Sequence, residues 1–125
     1  MEDYVKLNVD ACYDVNSGTG SCGAIIRDHR GMFIGACNRT IPFVSDAPSA
    51  EAMGLHDGLL LAGQVGCNRI EINSDCIEVI ETMNDGGNSL GPAAAIYEEC
   101  NFLGRNFAVA KFAHCPREAN VAADL

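Results

Sequence analysis

Basic residues are scarce in this chain. It has eight Lys and Arg against 17 Asp and Glu, which gives a formal net charge of −9 at pH 7. Lys and Arg side chains that neutralise phosphates supply most of the affinity of proteins for nucleic acid, so this balance argues against tight unaided binding to a polyanion. A bound divalent cation would offset part of the negative charge locally.

Long apolar runs are also missing. No stretch approaches the roughly 20 consecutive apolar residues of a membrane-spanning helix, and the N-terminus lacks the charged-then-apolar pattern of a secretory leader. We therefore expect an intracellular protein, in the nucleus or the cytoplasm, with no membrane partner. The length of 125 residues and a composition of 48% hydrophobic and 20% charged residues predict a single globular domain, residues 1–125.

Paired cysteine motifs are absent, although cysteine itself is plentiful. The number of cysteines is odd, no Cys-x-x-Cys occurs, and the three histidines do not lie near paired cysteines. A structural zinc site requires clustered ligands, so we expect none. The pattern favours buried free thiols in a reducing compartment. The seven residues are Cys12, Cys22, Cys37, Cys67, Cys76, Cys100 and Cys115.

Three strand patterns occupy the first third of the chain. Apolar and polar residues alternate over residues 5–10 and predict the first strand. A Gly- and Ser-rich turn follows, and residues 22–27 and 32–37 predict two more strands, joined by a short turn at residues 28–31. This spacing indicates an antiparallel meander.

Helical and strand patterns alternate over the remaining residues. The expected elements are a helix from Pro48 to about Gly66, strand 69–73, a helix capped by Ser74, a helix from Pro92 to Gly104, strand 107–112, and a helix from Glu118 that is cut off at Leu125. The order βββαβαβα predicts an α/β fold, with a mixed five-stranded sheet flanked by helices. The first helical crossover allows strand 4 to lie parallel to strand 1.

Residues 18–23 match Gly-x-Gly-x-x-Gly, but this match carries little weight. A dinucleotide-binding fingerprint must open a helix. Here Ala24, Ile25 and Ile26 follow, and their pattern continues a strand. Dinucleotide binding is therefore not expected.

Four acidic residues have settings that do not suit a solvated surface charge. Asp10 closes the first strand, and Glu51 lies in the first turn of an Ala- and Leu-rich helix. Asp75 follows strand 4, and Asp124 is nearly the last residue. If strands 1 and 4 are parallel, Asp10 and Asp75 end neighbouring strands at the edge where α/β folds place ligands.

Carboxylates gathered in this way repel one another unless cations lie between them. Hard divalent cations, Mg²⁺ above all, take oxygen ligands. A pair of such ions roughly 4 Å apart is the usual device for phosphodiester cleavage. The acidic residues therefore favour a metal-dependent nuclease.

These residues lie in five blocks that resemble ribonuclease H, in the divergent retroelement-type branch common in plants. The blocks occur in the order of that family and span nearly the whole chain. They are KLNVDA (6–11), CGAIIRD (22–28), AEA (50–52), INSD (72–75) and HCPREANVAAD (114–124).

The resemblance implies a function and a site. The implied function is an endonuclease that hydrolyses the RNA strand of an RNA–DNA hybrid, with two Mg²⁺ ions and Mn²⁺ as a substitute. His114 falls where the family has a mobile histidine that assists product release, and the hairpin around Gly23 is similar to the part that meets the minor groove of the hybrid. The implied metal ligands are Asp10, Glu51, Asp75 and Asp124.

The chain also departs from the family pattern. Ala11 and Cys12 follow the first acid, where Gly and a small polar residue are usual, and Cys76 follows Asp75. With the charge of −9, these changes leave open a non-catalytic nucleic-acid-binding or protein-interaction module that retains the fold. A 3′–5′ exonuclease is disfavoured, since such enzymes resemble one another in an Asp-x-Glu on the first strand and Cys12 occupies the Glu position. No feature indicates an oligomeric state.

Overall fold

The computed structural model describes residues 4–116. Five strands form one mixed sheet in the order β3-β2-β1-β4-β5. Two separate helices lie between β4 and β5, which the predicted order counts as one. The elements are β1 (Tyr4–Asp14), β2 (Thr19–Arg27), β3 (Phe33–Ile41), α1 (Ala47–Gln64), β4 (Arg69–Ser74), α2 (Ile77–Asn84), α3 (Ala94–Gly104) and β5 (Val109–His114).

The predicted strand pairing is confirmed. β1 pairs with β2, and β2 with β3, in antiparallel register. β1 pairs in parallel with β4, with Leu7 opposite Ile72. β4 also pairs in parallel with β5, a pairing that the sequence patterns did not specify. The sheet thus brings the carboxyl end of β4 beside the middle of β1, and the carboxyl end of β5 lies on the other side of β4.

The first hairpin is longer than its apolar pattern indicated. β1 continues past Asp10 to Asp14, which pairs with Thr19, so the prediction that Asp10 closes the strand is wrong. Residues 11–14 are held by pairing with β2 rather than by burial. Gly18 closes the turn at φ 71, a left-handed conformation that favours glycine, and its N–H donates to the Asp14 carbonyl at 2.9 Å.

Helix α1 packs on one face of the sheet. Asp46 caps it by accepting the Ser49 N–H at 2.8 Å, and Pro48 lies in the first turn as predicted. Since the helix begins at Ala47, Glu51 lies in the second turn and not in the first. Its apolar residues join Leu7, Val9, Ile70 and Ile72 in the core.

Two glycines let α1 approach the sheet closely. A Cβ atom at Gly58 would lie 2.9 Å from Leu7 Cδ1, and one at Gly54 would lie 3.0 Å from Val9 Cγ1. A side chain at either position would push the helix away from β1. The glycines therefore help to set the distance between Glu51 on α1 and Asp10 on β1.

The second half differs from the prediction at three boundaries. Cys76, not Ser74, occupies the N-cap position of α2, and no side chain caps this helix. Helix α3 begins at Ala94, two residues after Pro92. Strand β5 begins at Val109, because Phe107 turns into the core before the strand starts. The helix predicted from Glu118 lies outside the described residues.

The cysteines are less uniform than expected. Cys22 and Cys100 are buried, Cys12 is exposed, and the other four are intermediate. Burial raises the pKa of Cys22 to about 11 and that of Cys100 to about 12, so both thiols are protonated at neutral pH. The prediction of buried thiols holds fully for these two residues.

The helices of the described range are not of the membrane-spanning kind. Over residues 4–116, none combines the length and the apolar character needed to cross a bilayer.

Candidate metal centre

Three of the four predicted acids meet at one point. Asp10, Glu51 and Asp75 each offer one carboxylate oxygen, and these three atoms lie within 4.8 Å of one another. Asp10 and Glu51 are only 6% and 4% exposed, whereas Asp75 is partly exposed. We call these three residues the acid cluster.

The end of a strand pairing places Asp10 in the cluster. The parallel pairing of β1 with β4 ends at Val9 opposite Ser74. The antiparallel pairing with β2 continues, so that Asp10 lies opposite Gly23. Asp10 therefore stands where β4 has stopped and β1 has not, and Asp75 is the first residue after β4.

A serine joins α1 to the end of β4. Ser74 Oγ donates a buried hydrogen bond to Glu51 Oε1 at 2.9 Å, and it accepts the Cys76 N–H at 3.1 Å. Ser74 thus fixes one carboxylate oxygen of Glu51 instead of capping α2. The sequence pattern did not reveal this role, because Ser next to a helix start is also typical of an N-cap.

His114 lies at the edge of the acid cluster. It ends β5 opposite Ser74 in the parallel register, and its side chain is exposed. The ring atom Nε2 lies 3.2 Å from the backbone carbonyl oxygen of Asp75, so the tautomer protonated at Nε2 donates there. The predicted histidine therefore lies beside the third acid without belonging to the acid cluster.

The donor set of the acid cluster suits a hard cation. It consists of carboxylate oxygens, which Mg²⁺ and Mn²⁺ prefer. Two thiols lie nearby, but burial raises the pKa of Cys76, and burial together with the negative charge of Asp75 raises that of Cys115. Their surroundings thus disfavour the thiolate, which is the form of cysteine that binds metal.

A shallow groove leads from the acid cluster across the meander. It has a volume of about 240 Å³ and is lined by residues of β1, β2 and β3. Asp10, Gly23 and Asn38 form one cross-strand row along it, and Cys12 and Thr40 belong to the next. The hairpin around Gly23 therefore lies directly beside the first acid.

One polar network was not predicted. His56 Nε2 lies 2.8 Å from Glu99 Oε1, and His56 Nδ1 lies 3.3 Å from Asp57 Oδ1. Asp57 Oδ2 accepts a hydrogen bond from Arg39 Nε at 2.6 Å. His56 thus links α1 to α3 and, through Asp57, to β3. No periodicity reports such a cross-element contact.

Asp124 lies outside the described residues, so its assignment as a ligand stays a prediction.

Comparison with solved structures identifies the class of fold. The N-terminal RNase H domain of a Mycobacterium tuberculosis protein superimposes with a TM-score of 0.90 at 23% identity, over 97% of this chain and 88% of that one. RNase H1 of Halobacterium salinarum superimposes with a TM-score of 0.87 at 22% identity, over 97% of this chain and 92% of that one. A ribonuclease H1 named LC11, solved with an RNA/DNA hybrid, superimposes with a TM-score of 0.85 at 19% identity, over 96% of this chain and 91% of that one. The chain therefore has the ribonuclease H fold.

Comparison of sequences identifies the family. The family model described as reverse transcriptase-like matches residues 8–125, and the chain belongs to this family. A predicted ribonuclease H protein of Arabidopsis thaliana is 31% identical over 122 residues, which are 97% of this chain and 19% of that protein. The chain thus spans about a fifth of the length of this relative. The resemblance to the plant and retroelement branch is confirmed.

Proposed function

We propose that this chain is a Mg²⁺-dependent endonuclease that hydrolyses the RNA strand of an RNA–DNA hybrid. The observation that carries the proposal is the meeting of three carboxylate oxygens within 4.8 Å on the ribonuclease H fold. Buried acids so close together are costly without a cation between them. The Arabidopsis relative and the LC11 complex with RNA/DNA hybrid support the same substrate.

The acid cluster is the binding site for two Mg²⁺ ions, with Mn²⁺ as a substitute. When bound, the ions supply an activated water and stabilise the charge on the leaving 3′ oxygen. Asp10 and Glu51 are buried, and Ser74 holds one oxygen of Glu51. The site is thereby preorganised. Asp124 is proposed as a further ligand.

His114 is proposed to assist product release. Its side chain is exposed, and within residues 4–116 its Nε2 contact with the Asp75 carbonyl is the tie to the acid cluster. An imidazole held so loosely can turn toward a phosphate and away again. We therefore expect His114 to affect turnover more than the cleavage step.

The groove beside Asp10 is the proposed place of the hybrid. Gly23 and the polar side chains of Asn38 and Thr40 line it, and contacts of this kind suit a shallow minor groove with its 2′-hydroxyl groups. Arg39 also lines the groove, but its guanidinium is paired with Asp57. Since few cations support binding, cleavage should weaken steeply with salt.

A gel assay with end-labelled hybrid at low salt tests the proposal. Wild-type protein should cut the RNA strand, spare the DNA strand and lose activity in EDTA. Asp10→Asn and Asp75→Asn should each lower the rate by about 10³-fold or more, since each removes a ligand from ions that stabilise the transition state by several kcal/mol. His114→Ala should slow turnover and leave cleavage detectable.

The assay also separates the enzyme from a binding module. Intact RNA after incubation of wild-type protein with Mg²⁺ would overturn the nuclease proposal. If the protein still binds the hybrid under those conditions, the non-catalytic module takes its place, and the charge of −9 would favour that outcome. Equal cleavage by wild type and Asp10→Asn would show that the acid cluster is not the active site.

A further inference from the structure

A row of charged side chains crosses four strands on the sheet face opposite α1. Arg27 lies opposite Lys6 in the register, and Lys6 lies opposite Glu71. Glu71 in turn lies opposite Lys111. Opposed residues project from the same face, and Lys6 Nζ lies 3.7 Å from Glu71 Oε2. Leu7, the neighbour of Lys6, packs in the core with α1, so the row faces away from that helix.

The next row adds an aromatic ring and another cation. Tyr4 lies opposite Arg69. Arg69 Cζ is 6.0 Å and Lys111 Nζ is 5.0 Å from the centre of the Tyr4 ring, which is within the range of cation–π attraction. We call the two rows together the basic face. Its members are Tyr4, Lys6, Arg27, Arg69, Glu71 and Lys111.

The basic face is unusual for so acidic a chain. It holds four of the eight Lys and Arg residues and one carboxylate, whereas 16 of the 17 acids lie elsewhere in the sequence. Lys6, Arg69 and Lys111 are exposed. Asp28 lines the adjoining hollow, but its carboxylate accepts the N–H groups of its own loop. Among residues 4–116, the net charge of the basic face is therefore opposite in sign to that of the whole chain.

We propose that the basic face binds the phosphate backbone of a single-stranded nucleic-acid segment. Lys6 and Lys111 are two strands apart, about 10 Å, so they can contact different phosphates of one strand. Asp10 lies four positions after Lys6 on β1, about 13 Å away, a distance that roughly four stacked nucleotides at about 3.4 Å each would span. In the setting of the proposed nuclease function, the segment is a single-stranded extension of the bound hybrid.

Removal of a cation from the basic face should change the salt dependence of nucleic-acid binding. Each phosphate contact that is lost lowers the slope of log K against log salt by about 0.7 for a single strand. Lys111→Gln should therefore reduce the slope by about 0.7 and Arg69→Gln/Lys111→Gln by about 1.4, if each cation contacts one phosphate. Arg105→Gln removes one exposed charge elsewhere and should leave the slope unchanged. The measurement is fluorescence anisotropy of labelled poly(U) RNA in EDTA.

Three results would overturn the proposal. They are a failure of wild-type protein to bind poly(U) at low salt, a wild-type slope in the double variant, and competition by polyglutamate as strong as that by unlabelled RNA. The last result would assign the basic face to an acidic protein segment. Because EDTA removes metal, these results do not depend on cleavage. Loss of slope in the variants without any hybrid cleavage in Mg²⁺ would retain this inference and reject the nuclease function alone.

Discussion

Strand β1 carries opposite chemistry at its two ends. Near its start, the side chain of Lys6 is 58% exposed and forms a loose ion pair with Glu71 at 3.7 Å. Further along, Asp10 is 6% exposed and meets two other acids. An exposed charge keeps its hydration, so its free energy depends little on neighbouring groups. The free energy of a buried charge depends strongly on the groups around it. The acid cluster should therefore respond strongly to metal and to packing, and the basic face only weakly.

The largest difference is expected in the response to Mg²⁺. The ion should raise the free energy of unfolding, by about 2.7 kcal/mol at a hundred times its Kd, because it relieves repulsion in the acid cluster. Asp10→Asn should shrink this gain and stabilise the metal-free protein, while Lys6→Gln should keep the gain. Thermal unfolding with millimolar Mg²⁺ or with EDTA measures it, and equal Tm values for wild type would contradict a functional site.

The second-largest effect is expected from loss of the hydrogen bond between Ser74 and Glu51. Ser74→Ala removes a buried hydrogen bond to a carboxylate, a type of bond that contributes about 1.5–3 kcal/mol. Ser21→Ala, at an exposed position of β2, should stay within about 0.5 kcal/mol of wild type. Urea denaturation compares the two variants. Equal midpoints would mean that Ser74 does not hold α1 to β4.

A pair of glycine substitutions tests the close packing of α1. Gly58→Ala should destabilise the fold by about 1–3 kcal/mol, because its Cβ would meet Leu7. Gly63→Ala has open space in the same helix and should be stabilising by up to about 1 kcal/mol. The midpoints of urea denaturation measure the stability of both variants relative to wild type. A stabilising effect of both would show that the helix can move away from β1 without cost.

The smallest effect is expected at the basic face. Lys6→Gln breaks an exposed ion pair, and such pairs contribute about 1 kcal/mol or less. Its Tm should therefore lie close to that of wild type, even though binding of single-stranded RNA is expected to weaken. A large fall in Tm would show that Lys6 is part of the structural core and not of a binding surface.

Much of the fold could be predicted from local patterns. The alternation around Leu7 and Val9 and the apolar stretch at Ile70 and Ile72 identified the strands that α1 covers. Strand ends were harder, since β1 continues through the polar residues up to Asp14, which are held by pairing with β2. Local propensity does not report hydrogen bonds that depend on a partner strand.

The sequence predicted which residues form the acid cluster, but not which residues hold them in place. Asp10, Glu51 and Asp75 were identified because their surroundings are apolar and because five sequence blocks resemble one family. The roles of Ser74 and Gly58 were not predicted, since they depend on contacts with Glu51 and Leu7, which are far away in the sequence. The charge of a side chain can be read from a sequence, whereas the residue that holds this side chain in position cannot.

The parallel pairing of β1 with β4 has a consequence for the order of folding. Residues 8–71 lie between Leu7 and Ile72, so this contact forms only after a long loop has closed, and such contacts are slow. The three carboxylates cannot converge before that step, and their repulsion opposes it. Mg²⁺ should therefore slow unfolding more than it speeds refolding in stopped-flow traces, because its ligands come together late in folding.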